Sequence, residues 1–104
     1  MTLLKTSAAF SQSVNISFDG TGYRFLLVAV HVASDPNSAA WLAQHLFPID
    51  IYNKHTGLHV FNFVTGSGST YFDLRLSVSS TSISGAFDSK TNINNAYITV
   101  YGVK

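Results

Sequence analysis

The sequence predicts an all-β domain: an antiparallel, jelly-roll-like β-sandwich of about seven or eight short strands. Three observations predict it. Glutamate, a leading helix former, is absent from all 104 residues, and lysine occurs four times. Val, Ile and Thr together number 24, and their branched side chains fit a pleated strand better than a helix. Clusters of Gly, Asn, Asp and Ser also punctuate the chain at the spacing of strand-to-strand turns. One domain, residues 1–104, fits the length.

Taken in order, Thr2–Thr6 reads as a short edge strand. Ser13–Phe18 alternates, with Val14, Ile16 and Phe18 on one side and Ser13, Asn15 and Ser17 on the other, which is a half-buried strand. Asp19-Gly20-Thr21-Gly22 is a turn. Tyr23–Ala33 is apolar on both faces, so it needs cover on each side. Ser34–Ser38 contains Asp35-Pro36 and reads as a turn. Residues 38–45, with Ser38 as a cap, read as one or two helical turns or an irregular segment, ended by Pro48. Ile49–Tyr52 and Leu58–Val64 are strands around the loop 53–57. Tyr71–Val78 alternates, with Phe72, Leu74, Leu76 and Val78 inward. Ser82–Phe87 is a weaker strand, 89–95 a polar loop, and Ala96–Val103 closes the domain.

Composition narrows function. Six basic and five acidic residues leave a net charge of +1 with no basic run, so the phosphate-neutralising footprint of a nucleic-acid binder is missing. No apolar stretch approaches the roughly 20 residues of a membrane span. With no cysteine there is no disulfide framework, thiol nucleophile or zinc ribbon. The first ten residues lack a signal-peptide core, so a protein working outside a cell would leave by another route, such as lysis.

Catalytic motifs are lacking too. The five carboxylates are Asp19, Asp35, Asp50, Asp73 and Asp88, and Asp73 alternates with Arg75 as a surface pair would. Neither a Gly-x-Ser-x-Gly elbow nor an HExxH motif occurs. His55 and His59 flank Gly57 in a hairpin, which argues against a helical zinc pair. His31, inside the apolar strand, reads as a buried histidine with a hydrogen-bond partner. No enzyme activity, metal or cofactor is expected. Binding fits better. Trp41, the one tryptophan, lies near Asn37, Gln44 and His45, offering an apolar platform beside oriented donors. Those four and His55 are the candidate ligand-binding residues, and a Trp that plugs the core is the competing reading.

The C-terminal AYITVYGVK (Ala96–Lys104) resembles the end of phage tail-fibre and receptor-binding protein domains, which often finish on an aliphatic strand followed by Tyr-Gly-Ile/Val and Lys. GYRFLLVAVHV (Gly22–Val32), FPIDIYN (Phe47–Asn53) and SVSSTSISGAF (Ser77–Phe87) are similar to other strands of such domains. The resemblance implies a β-sandwich tip in the virion tail, acting outside the cell. It implies a homotrimer that contacts a host-surface saccharide or protein and other tail proteins. A trimer would use the second face of the long strand, assigned here to Leu26, Val28, Val30 and Val32. The alternatives are a structural virion protein that binds only other tail components, and a cytokine-like or C1q-like jelly roll.

Overall fold

A computed structural model describes residues 1–32, 41–49, 58–64, 71–87 and 95–104, with the backbone alone described for 41–43, 58–64 and 71–72. Every described element is a strand: β1 (Thr2–Thr6), β2 (Ser13–Ser17), β3 (Phe25–His31), β4 (Trp41–Pro48), β5 (Leu58–Val64), β6 (Tyr71–Val78), β7 (Ser82–Phe87) and β8 (Tyr97–Val103). They form two four-stranded antiparallel sheets, ordered β1-β8-β3-β4 and β2-β7-β6-β5. The chain changes sheet between β1 and β2, β2 and β3, β4 and β5, and β7 and β8. The pairings β3–β4 and β5–β6–β7 are local.

The apolar halves of the alternating strands meet between the sheets. From the first sheet come Leu26, Val28 and Val30 of β3, Ile98 and Val100 of β8, and Phe47 of β4. From the second come Val14 and Ile16 of β2, Leu74, Leu76 and Val78 of β6, and Ile83 of β7. Phe10 stacks on Phe87 at 5.2 Å between ring centres and extends this core. Burying each such side chain contributes about 1.5–3 kcal/mol.

Two expectations are corrected here. The segment expected to be helical or irregular is strand from Trp41 to Pro48, while 38–40 lie outside the described residues. Its Ala, Leu and Gln favour a helix on propensity alone, but pairing with β3 from Phe25↔Pro48 to His31↔Trp41 overrides that preference. β4 is an edge strand, where a terminal proline removes no ladder bond that the sheet needs. The second correction concerns Leu26, Val28 and Val30. They are at most 1% exposed inside this chain's own core, so they are not an oligomer surface, although Val32 just beyond is exposed. The outward face of β3 is the other one: Phe25, Leu27, Ala29 and His31. With both faces apolar, alternation alone could not tell inward from outward. The strand expected at Ile49–Tyr52 lies, after Ile49, outside the described residues. There the Ile49 amide donates to the Arg24 carbonyl at 2.9 Å.

The end of the chain is anchored through Tyr23. Its ring lies against Gly102, where any Cβ would come within 2.6 Å of ring carbons. The Lys104 ammonium sits 5.7 Å from the centre of the same ring. At the β2–β3 connection, Gly22 adopts φ = 86°, a conformation that side-chain-bearing residues resist. The Thr21 amide and hydroxyl both donate to Asp19 Oδ1, at 3.0 and 2.6 Å.

Candidate functional site

The residues singled out for ligand binding do not converge. Asn37 and His55 lie outside the described residues. Trp41 begins β4, where its backbone pairs with His31 across a bulge that skips Leu42. Gln44 pairs with Ala29 and His45 with Val28, so neighbouring residues take opposite faces of the sheet. Gln44 faces outward. His45 takes the inner side of an edge strand, exposed, with its ring 4.4 Å from that of Phe47. An amide and an imidazole on opposite faces cannot grip one ligand.

Histidine 31 behaves as a buried histidine with a partner. It is fully buried, and its Nε2 is 2.7 Å from Thr99 Oγ1, which is 3.1 Å from Thr6 Oγ1. Its ring stacks on Tyr97 at 5.6 Å and 12°. The three residues sit on β1, β8 and β3, adjacent strands of the first sheet. Antiparallel register sets Thr6 opposite Thr99 and His31 opposite Tyr97. The chain of hydrogen bonds closes a polar row within the outer layer, because a buried polar group is costly unless bonded.

What alternation marked only as solvent-facing is a continuous neutral surface on the second sheet. Asn15, Ser84 and Ser77 lie opposite one another on β2, β7 and β6. All three are exposed, and strands are spaced about 4.8 Å apart. Ser17 and Ser82 form the next row. Beside them a shallow depression of about 290 Å³ is lined by Ser77, Val78, Ser79, Ser82 and Ser84. The hairpin that closes it is braced by Ser79, whose hydroxyl accepts from the Ser82 amide at 3.1 Å and the Thr81 amide at 3.3 Å. Further along β6, Arg75 and Asp73 approach to 3.9 Å; the Arg75 side chain is 55% exposed and that of Asp73 only 13%, so the carboxylate is not the surface group the sequence suggested.

The outward side of the first sheet differs in character. Leu3, Tyr101, Leu27 and Leu46 form one row across β1, β8, β3 and β4, beside Val103, Phe25 and Pro48. Leu3 is 55% and Leu46 47% exposed, and Tyr101, Leu27, Phe25 and Val103 are half-buried.

The chemistry open to these surfaces is hydrogen bonding and apolar contact. Among the described residues no three His, Asp or Glu side chains gather as a metal site would need, and no helix is long and apolar enough to cross a membrane. Hydrogen bonds from Thr21 hold the exposed Asp19 carboxyl below its ordinary value of 3.8. That carboxyl therefore stays charged at neutral pH and supports its own turn. No family model, curated protein or solved structure matches this chain.

Proposed function

We propose that this chain is a receptor-binding (adhesion) module of a phage tail fibre or baseplate, recognising a host-surface saccharide or protein and acting by binding, not catalysis. The reading rests on the resemblance of Ala96–Lys104 and the strands before it to tail-tip domains, on a sandwich of the implied class, and on the character of the surface. One observation carries it: the outer face of the second sheet, where Asn15, Ser84, Ser77 and Ser17 present exposed amide and hydroxyl groups around the serine-lined depression. Neutral donors and acceptors at fixed spacing suit a ligand rich in hydroxyls, and a rigid sheet holds them in register. The working location is the virion tail, outside the cell.

A glycan array probed with labelled wild-type protein tests this directly. Binding to a defined group of saccharides supports the reading. No binding to the array or to host envelope fractions refutes it. A second reading, a structural virion protein that contacts only other tail components, is favoured by the exposed apolar row Leu3–Tyr101–Leu27–Leu46. It predicts an empty array and a stable complex with a neighbouring tail protein.

A further inference from the structure

Asp73 and Arg75 stand two residues apart on β6, so both take the outward side of the second sheet. Their burial is unequal: the Asp73 side chain is mostly buried and that of Arg75 mostly exposed. A carboxylate set into the sheet and a guanidinium standing out of it leave the cation as the charge a ligand meets. At 3.9 Å the pair is too long for a hydrogen bond. It attracts the guanidinium while leaving the N–H donors of that group open to another acceptor. By register, Arg75 lies opposite Ala86 of β7, whose side chain ends at Cβ, and Ala86 lies opposite Ser13 of β2. The next row is Ser77, Ser84 and Asn15, about 6.6 Å along the strands. No outward position of β2 or β7 holds a charged residue. An exposed cation therefore borders the hydroxyl- and amide-bearing rows, beside an alanine that leaves room for a ligand.

We infer that the ligand of this face is an acidic saccharide, its carboxylate or phosphate oxygens bound by the Arg75 guanidinium while its ring hydroxyls lie along Ser77, Ser84 and Asn15. The inference rests on the adhesion reading above and makes Arg75 the residue that selects among saccharides. A planar guanidinium presents paired N–H groups at the spacing of two acid oxygens, so it takes either acid in a forked contact. The neutral rows cannot make that distinction, because hydroxyls and amides meet sugar hydroxyls with or without an acid nearby. With a net charge of only +1, the chain as a whole attracts anions weakly, so a preference for acids has to come from a local cation.

The test is a saccharide array carrying matched neutral, carboxylate-bearing and phosphate-bearing members, probed with the wild type, Arg75→Gln and Arg75→Lys. The wild type is expected to bind acid-bearing members about tenfold to a hundredfold more tightly than their neutral counterparts, as a charge-assisted hydrogen bond gives. The two acidic series show which acid is taken, and a preference for either supports the inference. Arg75→Gln is expected to lose that preference and keep the weaker binding to neutral members. Arg75→Lys, which keeps the charge and loses the fork, is expected to fall between. It also keeps a cation beside the mostly buried Asp73, so it reads the fork apart from the stability of the sheet, which urea unfolding follows. A wild type that binds neutral members as tightly as acidic ones overturns the inference and leaves the adhesion reading standing. An acid preference undiminished in both variants overturns the assignment to Arg75. Binding to a host-envelope protein with no saccharide bound overturns the inference as well. A wild type that binds nothing on the array or in envelope fractions refutes the adhesion reading itself, and the inference falls with it.

Discussion

Replacing Thr99 by valine removes one hydroxyl and almost no volume, yet it should destabilise the domain by about 2–3 kcal/mol. Thr99 is fully buried and bonds His31 Nε2 at 2.7 Å and Thr6 Oγ1 at 3.1 Å. Valine leaves the buried imidazole nitrogen without this partner, which costs about 1–3 kcal/mol. The Thr6 hydroxyl is half-buried and can turn to water, so its loss adds only about 0.5–1 kcal/mol. The strand preference of valine offsets a few tenths of that. In a domain of this size the sum lowers Tm by roughly 10–20 °C. Thr99→Ser is the control. It keeps the hydroxyl and deletes one methyl, at about 1 kcal/mol. Urea unfolding at neutral pH, with thermal melts alongside, ranks the three proteins. The expected order is wild type, then serine, then valine. A valine variant as stable as the wild type, or more stable than the serine variant, would refute the claim that this hydroxyl anchors His31.

Three further outcomes follow from the packing and the turn. Leu76→Ala, at a fully buried position between the sheets, should cost about 2–5 kcal/mol in denaturant titration. Gly102→Ala should cost about 1–3 kcal/mol, because the new Cβ meets the Tyr23 ring. In a Tyr23→Ala background the same change should cost far less, a coupling that a double-mutant cycle reads. Asp19 has a folded-state pKa below its unfolded value, so its contribution is present above about pH 4 and is lost as pH falls through the depressed folded value. Asp19→Asn should flatten the acid limb of the stability–pH curve, lowering stability slightly at neutral pH and converging with the wild type below the depressed folded value.

Much of the fold was legible because period-two alternation is a direct record of a half-buried strand. Ser13–Ser17 and Tyr71–Val78 alternate cleanly and form β2 and β6 at almost the bounds expected. β4 was not legible. By register its inner positions take Ala43, His45 and Phe47, and its outer positions Gln44 and Leu46. Each face mixes polar and apolar residues, so an edge strand gave no alternation and its helix-forming residues dominated the reading. Long-range pairing with β3 decided the outcome. β3 failed differently: its strand character was plain, but apolar residues on both sides left inward and outward indistinguishable until the β8 and β4 partners were known. The ligand-binding candidates misled for a related reason. Closeness along a strand puts Gln44 and His45 on opposite faces, whereas the neutral surface that does form draws Asn15, Ser84 and Ser77 from three separate strands. Only the strand order brings those three together.

The central claim is that recognition takes place on the hydroxyl- and amide-bearing face of the second sheet. Amide chemical-shift mapping by NMR, using the saccharide that binds best on the array as titrant, tests it most directly. Shifts should centre on Asn15, Ser77, Ser82 and Ser84 and be abolished by Ser84→Arg in a protein that still folds. Shifts confined to β1, β8, β3 and β4, or binding undiminished in Ser84→Arg, would contradict it.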